Sequence, residues 1–324
     1  MSQLHGASLH EIGRKGGVTA AVAPKQRLAV CVVHWRSPDS LVRTVARLME
    51  SRGVDLDVVV VDNASGAEVV ARLRRDLPLP VHVEALSANL GFAGGANYGF
   101  RILSSTSSPP PYVAVCAHDT LVEQDTLSLL VGALETSPRL GVVGPVLDRG
   151  NGVYRGGHGY PLEPWAWRVS ELPNGQHPSD WLVGALMVFR FAALRAVGVF
   201  DERLFAYEED VDICLRMWRA GWQVAYVDGA RAREHGSAIS GQGHVYMIAR
   251  NYLLLARWHH GKGIFAREVA RKLVHALRAT MASLAPWRSG DQRRLSRIFA
   301  GAQFRAVCDA VRGRSGAPDM RIFR

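Results

Sequence analysis

Short apolar runs alternate with amphipathic stretches along the first half of this 324-residue chain, and this alternation constrains its fold most strongly. Leu28–Val33 is continuously apolar, as expected of a strand that is buried on both faces of a parallel sheet. The order of strands and helices predicts an α/β fold with a Rossmann-like, mainly parallel sheet flanked by helices. Further strands are predicted at Asp57–Val61, Val81–Ala85, Tyr112–Ala117, Gly141–Leu147 and Gln223–Val227, and helices at Pro38–Met49, Gly94–Leu103, Glu123–Thr136 and Glu209–Ala220.

Polar residues that follow these strands are the first candidates for a site, because parallel α/β sheets bind ligands at the carboxyl ends of their strands. Asp62 and Asn63 end the second strand, where they either face a ligand or form an Asx turn and helix cap. His118 and Asp119 follow a later strand. A carboxylate there suits Mg²⁺ or Mn²⁺ beside a pyrophosphate, although it would also serve as a helix cap.

Two further segments carry possible chemistry. The glycine-rich segment Asn89–Gly99 opens a helix, so its backbone N–H groups can approach a phosphate. It lacks the G-x-G-x-x-G spacing, which argues against a dinucleotide dehydrogenase. Phe205–Asp212 is the densest acidic cluster. Acids in the first turn of a helix are favoured by its dipole, but carboxylates beside aromatic rings are also how proteins build a general base.

Taken in this order, several stretches resemble the family 2 glycosyltransferases of the GT-A fold, in particular the bacterial rhamnosyltransferase-like branch. The stretches are VVVVDNAS, NLGFAGGANYG, the strand ending in AHDT, and VGALMVFRFAALRAVGVFDERLFAYEEDVDICLRMWRAGW. The resemblance covers about residues 28–260. It implies an inverting transferase that moves a sugar from a nucleotide diphosphate, with dTDP-rhamnose or a UDP-sugar favoured. The acceptor would be a hydroxyl of a glycan, a lipid-linked precursor or a natural product.

The resemblance also implies roles for individual residues. Asp210 would be the catalytic base, with Glu209 beside it, and Asp119 and His235 would hold a divalent metal, Mn²⁺ or Mg²⁺. Trp181, Gly184 and Ala185 would line the acceptor side. The expected donor-binding residues are His34, Trp35, Asp62, Asn63, Asn89, Gly91, Gly94, Asn97 and His118.

The metal motif departs from the family pattern. Many members carry Asp-x-Asp or Asn-Pro-Asp, whereas this chain has Ala117-His118-Asp119 and therefore lacks the first carboxylate. A single carboxylate together with His235 and pyrophosphate oxygens would hold the ion more weakly. An alternative function is therefore a non-catalytic sugar-nucleotide-binding protein on the same fold, although the presence of Asp119, Asp210 and His235 together argues against it.

The basic residues are concentrated near the end of the chain. The net charge is +10, and Arg257–Arg324 contains fifteen Lys or Arg against four Asp or Glu. Apolar residues recur at helical spacing from Phe265 to Leu284, and a second helix is predicted from about Asp291 to Arg312. These helices either pack on the domain or contact an anionic membrane surface or a polyprenyl-phosphate acceptor. No nucleic-acid-binding motif accompanies the charge.

Three parts and a location follow from the remaining patterns. We expect a flexible N-terminal arm at 1–26, a nucleotide-sugar-binding and catalytic domain at 27–240, and a basic helical extension at 241–324. No run approaches the ~20 apolar residues that span a bilayer, and the start of the chain lacks the apolar core of a signal peptide. We therefore expect a cytoplasmic protein that associates peripherally with the inner face of the cell membrane.

Overall fold

A computed structural model describes residues 25–157, 172–234 and 241–319. His235 and all but the last two residues of the predicted N-terminal arm lie outside the described residues. The strands are β1 (Gln26–His34), β2 (Val54–Asp62), β3 (His82–Ala85), β4 (Tyr112–Ala117), β5 (Thr120–Val122), β6 (Leu140–Asp148), β7 (Val153–Tyr154), β8 (Gln176–Pro178), β9 (Leu186–Arg190) and β10 (Gln223–Glu234). The helices are α1 (Pro38–Met49), α2 (Ala67–Asp76), α3 (Gly91–Ser104), α4 (Thr126–Thr136), α5 (Phe191–Val197), α6 (Glu209–Arg219), α7 (Gly241–Leu284) and α8 (Gly290–Val311).

The described strands form one mixed sheet in the order β3-β2-β1-β4-β9-β6-β10-β5, with β7 beside β6 and β8 beside β10. Strand β1 lies between β2 and β4 and is parallel to both. Strands β6 and β10 are also parallel, whereas β9 runs antiparallel between β4 and β6. The predicted α/β fold, with flanking helices and a C-terminal helical extension, is confirmed.

The two faces of the sheet carry separate hydrophobic cores, because side chains along a strand alternate between faces. In β1, Val30 and Val32 face the core formed with α1, α2 and α4, whereas Cys31 and Val33 face the core formed with α3, α5 and α6. Both faces are therefore covered by helices. This explains why β1 is a continuous apolar run rather than an alternating one.

The C-terminal helices pack on the body of the protein. Helix α7 is interrupted at Gly261, whose φ of 80° and ψ of −176° are not helical. Helix α8 begins with a capping box, in which Ser289 and Gln292 satisfy each other's backbone N–H groups. A third core joins Val211 of α6 to Leu253 of α7 and Val307 of α8. None of the described helices combines the length and apolar character needed to cross a membrane.

Some element boundaries differ from the predictions. Helix α3 begins at Gly91, three residues earlier than expected. Helix α4 begins at Thr126 because the preceding residues form β5, which pairs antiparallel with the end of β10. Strand β10 continues to Glu234 after an irregularity between Val227 and Arg231, where its register with β6 shifts. Short irregular pairings of this kind leave little periodicity in a sequence.

The close packing of α3 on β1 generates a first prediction. A Cβ added at Gly99 would lie 2.1 Å from the sulfur of Cys31. Gly99→Ala should therefore lower the free energy of unfolding by about 1–3 kcal/mol through overpacking. Gly132→Ala is the matched control, since Gly132 also lies inside a helix but an added Cβ would meet open space. Denaturant unfolding measures both, and equal stability of the two variants would contradict the prediction.

Candidate active site

The carboxyl ends of the central strands open into a cavity of about 340 Å³. Its wall also includes residues from Phe205–Asp212, which we call the acidic segment, and from the first turns of α7. The structure thus brings together residues that are distant in the sequence. The predicted site residues in the wall are His34, Trp35, Asn63, Asn89, Gly91, His118, Asp119, Trp181, Gly184, Ala185, Glu209 and Asp210.

His34 and Asp62 form a buried pair where β1 and β2 end side by side. The Nδ1 atom of His34 lies 2.7 Å from Oδ1 of Asp62, and the backbone N–H of Ser37 donates to His34 Nε2 over 3.1 Å. Since Nε2 accepts a hydrogen bond, we place the ring proton on Nδ1, where it donates to Asp62. Ser65 N–H donates to the other carboxylate oxygen over 2.9 Å. Burial raises the pKa of Asp62, but the hydrogen bonds from His34 and Ser65 outweigh burial and lower it below the usual value.

Asn63 fixes the glycine-rich segment against the end of β2. Its side-chain amide donates to the carbonyl of Gly91 over 3.0 Å and accepts from the N–H of Leu90 over 3.2 Å. Gly91 has a φ of 75°, and a Cβ there would lie 2.1 Å from the carbonyl oxygen of Phe205. Only glycine therefore fits between this turn and the acidic segment. The N–H of Ala93 also donates to that carbonyl, over 3.2 Å.

Three of the described residues predicted to bind the donor do not line the cavity: Asp62, Gly94 and Asn97. Asn97 instead joins α3 to the chain that leads into the acidic segment. Its amide donates to the carbonyl of Phe200 and to the carboxylate of Glu202, both over 2.9 Å, and accepts from the Phe200 N–H over 3.1 Å. Asp62 therefore positions His34 of the cavity wall, whereas Asn97 fixes the chain that leads into the acidic segment.

The acidic segment has an unusual backbone. Phe205, Tyr207 and Glu208 all have positive φ values, between 65° and 69°, which non-glycine residues rarely adopt. Asn251 of α7 holds this backbone, because its amide nitrogen donates to the carbonyls of Leu204, Ala206 and Tyr207 over 2.8–2.9 Å. Asn251 was not predicted from the sequence, since an asparagine inside a helix gives no signal until its tertiary partners are known.

The first turn of α6 presents two carboxylates to the cavity, Glu209 buried and Asp210 partly buried. Asp210 accepts the backbone N–H of Gly184 over 2.8 Å and that of Val211 over 2.9 Å. Burial raises the pKa of Asp210, and these N–H groups oppose the rise. Burial, followed by the negative charge of Asp210, raises the pKa of Glu209 well above its usual value, and Glu209 Oε2 has no hydrogen-bond partner within the described part of the chain. The geometry therefore favours a charged Asp210 beside a protonated Glu209.

Two charged residues that were not predicted from the sequence, Arg149 and Glu234, also line the cavity. Arg149, just after β6, places Nε 2.6 Å from a carboxylate oxygen of Glu234 at the end of β10. Burial raises the pKa of Glu234 to about 7, Arg149 opposes the rise, and the charges of Asp119 and Asp210 add to it. Three carboxylates and an arginine thus act on one another across the cavity. The buried alternation of Ala230 and Ala232 is the signal that would have extended β10 to Glu234.

The histidine of the metal motif is a neutral part of the wall. Burial, followed by the neighbouring His34, lowers the pKa of His118 to about 4. The two rings meet edge to face, with centroids 5.4 Å apart. The carbonyl of His118 accepts a hydrogen bond from the hydroxyl of Thr44 over 2.8 Å. The ring of His118 therefore offers shape and polarity rather than positive charge at neutral pH.

The described residues fit a divalent ion only as a partial set of ligands. Asp119 follows the carboxyl end of β4 and lines the cavity. No three His, Cys, Asp or Glu side chains of the described residues come close enough to form a complete site. Hard cations such as Mg²⁺ often take one or two carboxylates and complete their coordination with substrate phosphates. Asp119 suits that arrangement, and the predicted ligand His235 lies outside the described residues.

Comparison with known proteins gives a consistent result. Residues 112–288, more than half of the chain, match the family described as Glycosyl transferase family group 2. The N-acetylglucosaminyl-diphospho-decaprenol L-rhamnosyltransferase of Mycobacterium tuberculosis is 28% identical over 263 residues, which cover 72% of this chain and 85% of that protein.

Two solved glycosyltransferase structures share the fold. Mannosyltransferase PcManGT from Pyrobaculum calidifontis, in complex with GDP-Man and Mn²⁺, has a TM-score of 0.57 and 17% identity and covers 89% of this chain and 88% of its own. GalNAc-T7 with UDP, GalNAc and Mn²⁺ has a TM-score of 0.57 and 14% identity. That match covers 90% of this chain but 59% of GalNAc-T7. At these identities the likeness shows the fold alone.

The contacts of Asn251 generate a prediction about the acidic segment. Asn251→Leu keeps the size of the side chain but removes its hydrogen bonds to three carbonyls. It should cost roughly 1–3 kcal/mol of unfolding free energy. Backbone amides of Phe205 and Ala206 should exchange hydrogen faster, as mass spectrometry would show.

Gln303→Leu is the matched control for this change. It also replaces a buried amide of the C-terminal helices with leucine, but Gln303 Oε1 accepts no hydrogen bond from the described residues. We expect exchange in the acidic segment to stay at the wild-type rate in this control. If Asn251→Leu also leaves that exchange unchanged, Asn251 does not hold the segment.

Proposed function

Because the chain belongs to glycosyl transferase family group 2 and has the GT-A fold, we propose that it is an inverting, metal-dependent enzyme. It transfers a sugar from a nucleotide diphosphate to a hydroxyl of a lipid-linked acceptor. The observation that carries this proposal is the environment of Asp210, a carboxylate that two backbone N–H groups hold in the wall of the cavity.

The donor half of the cavity lies at the carboxyl ends of β1, β2 and β4. Trp35 lines it and offers an aromatic face on which a nucleotide base can stack. Asn63 holds the turn at Asn89 and Leu90 that leads into α3, and this turn lines the donor half. The N–H groups of Leu90, Gly91 and Ala93 donate to acceptors within the protein, so the start of α3 closes the cavity rather than offering these groups to a phosphate. Asp119 and His235 would hold Mn²⁺ or Mg²⁺, which when bound would neutralise charge on the departing nucleotide diphosphate.

The acceptor half is formed by Trp181, Gly184 and Ala185 together with the start of α6. Asp210 takes the proton from the acceptor hydroxyl as the oxygen of that hydroxyl attacks the anomeric carbon. Attack from the face opposite the leaving group inverts that carbon in a single step. Arg149 contributes a positive charge to the same cavity, where negative charge develops.

The relatives guide the choice of substrates. The matched protein of Mycobacterium tuberculosis is named for the transfer of L-rhamnose to a decaprenol-linked N-acetylglucosamine. We therefore favour dTDP-rhamnose, or else a UDP-sugar, as the donor and a polyprenyl-diphosphate glycan as the acceptor. A thermal-shift panel of dTDP, UDP and GDP, each with and without Mn²⁺, tests the base, and NMR of the product's anomeric proton tests inversion.

A non-catalytic sugar-nucleotide-binding protein is the second candidate, because the metal motif retains one carboxylate and Ala117 replaces the other. The two functions differ in one simple observation. An enzyme hydrolyses its sugar nucleotide slowly when Mn²⁺ is present and no acceptor is available. A binding protein would show the thermal shift with the nucleotide but no hydrolysis.

The first prediction from this function concerns the metal. Asp119→Ala should abolish sugar transfer while the protein remains folded, because Asp119 is the described carboxylate at the end of the metal motif. Asp125→Ala is the control, since Asp125 is an exposed carboxylate further along the same connection. Rates in Mn²⁺ and in EDTA measure the effect. Full activity of Asp119→Ala in Mn²⁺, or of the wild type in EDTA, would exclude the metal role.

The second prediction concerns the base. Asp210→Asn preserves the shape of the side chain but removes the proton acceptor, so the rate should fall on the order of 10²-fold or more. Binding of the donor nucleotide should persist, as measured by calorimetry. Glu209→Gln should be milder, because two backbone N–H groups hold the carboxylate of Asp210, whereas Glu209 Oε2 has no hydrogen-bond partner among the described residues. An active Asp210→Asn beside an inactive Glu209→Gln would identify Glu209 as the base.

A further inference from the structure

Exposed apolar side chains concentrate where α7 ends and the turn to α8 begins. Leu277, Met281 and Leu284 recur at spacings of four and three residues, so they lie on one face of α7. Their exposure rises along the helix, and Met281 is 71% and Leu284 75% exposed. Trp287, in the turn that follows, is 84% exposed. A stripe of this kind is a surface that water solvates poorly, and it needs an explanation.

Arginines lie near this stripe on α7, on α8 and in the turn between them. Arg278 and Arg288 line a groove between α7 and α8 together with Leu295, and Trp287 lies beside Leu295 across a neighbouring depression. Arg294 and Arg297 are exposed on α8. Asp291 is the single acidic residue between positions 277 and 298. We call the apolar stripe with Trp287 and these four arginines the hairpin tip.

The charge of the hairpin tip narrows the choice of partner. A two-fold symmetric dimer through this surface would place its arginines against the same arginines of a second copy, which opposes association. The first 24 residues of the chain contain two Lys or Arg and one Glu, so they offer no acidic complement either. A negatively charged bilayer complements both features, since it accepts apolar side chains below an anionic layer of headgroups.

We propose that the hairpin tip docks on an anionic lipid bilayer, with Met281, Leu284 and Trp287 inserted among the lipids and the arginines at the headgroups. Tryptophan suits this depth because its ring is apolar and its N–H is polar. The exposed apolar side chains specify a lipid bilayer as the partner, which the net charge alone does not. Charge predicts an attraction that salt removes, whereas inserted side chains predict binding that partly survives salt.

The position of the groove connects this surface to the proposed reaction. Gly241 and Val245 line the groove, while His244 and Ile248, on the adjacent face of the same turns of α7, line the catalytic cavity. The docking inference rests on the proposed function only in this step. An acceptor whose lipid chain stays in the membrane could then bring its sugar head to the cavity.

The test is co-sedimentation of the full-length protein with vesicles of phosphatidylglycerol or of phosphatidylcholine, at low and high salt. The wild type should prefer phosphatidylglycerol and retain part of its binding at high salt. The combined substitution of Met281→Ser, Leu284→Ser and Trp287→Ser should weaken binding at least about tenfold at both salt concentrations. The combined substitution of Arg288→Gln, Arg294→Gln and Arg297→Gln should remove the preference for phosphatidylglycerol.

Leu79→Ser combined with Val199→Ser is the matched control, because both residues are exposed apolar side chains far from the hairpin tip in the sequence. It should bind vesicles like the wild type. Negligible binding of the wild type to both vesicles would overturn the proposal. So would wild-type binding by the serine variant, or a loss of dimers in that variant measured by sedimentation velocity.

A separate measurement distinguishes this proposal from the proposed function. Hydrolysis of dTDP-rhamnose and of UDP-sugars in Mn²⁺ needs the cavity but no membrane, so the serine variant should match the wild type. Vesicle binding without hydrolysis of any donor would leave the docking surface supported and the proposed function contradicted. Hydrolysis of a donor without vesicle binding would support the proposed function and overturn the docking surface.

Discussion

Parallel pairing of β1 with β2 and β4 is the constraint on which the site depends. The register aligns His34 with Asp62 and Val33 with Ala117, so the three strands end at one edge of the sheet. The segments that follow these strands, which include Asn63 and Asp119, therefore begin at the same end of the sheet. Both faces of these strands are buried under helices, and a shift of one residue would exchange the two cores. The hydrophobic cores thus fix the position of the polar edge.

A second constraint joins the C-terminal helices to Glu209 and Asp210 at the start of α6. The backbone before Glu209 takes left-handed conformations at three residues that are not glycine, a cost of about 1 kcal/mol or more each. Asn251 offsets this cost with hydrogen bonds from α7, and Phe205 in turn contacts Gly91 and Ala93 on the other side of the cavity. The positions of the turn before α3 and of the acidic segment are therefore linked through the carbonyl group of Phe205.

Sequence patterns were sufficient for the elements with a clear period and for residues at their ends. The apolar run of β1, the first turn of α6 and the polar pair after β2 could all be predicted from neighbouring residues. The ion pair of Arg149 and Glu234 could not, because it joins the ends of β6 and β10 and a register shift interrupts the pattern of β10. Strand β5 is three residues long, too short to show alternation. The hydrogen bonds of Asn251 and Asn97 depend on tertiary contacts, which local propensity does not contain.

The pairing of His34 with Asp62 has a consequence for how the cavity responds to acidity. Hydrogen bonds keep the pKa of Asp62 low, and burial keeps that of His118 near 4, so neither group exchanges protons near neutral pH. Burial acts in the opposite direction on the facing carboxyl groups, since it raises the pKa of Glu209 and brings that of Glu234 to about 7. A rise in pH through neutrality therefore adds negative charge at Glu234, whereas Asp62 stays charged and His118 stays neutral. The distribution of charge in the cavity therefore depends on the pH of the surrounding solution.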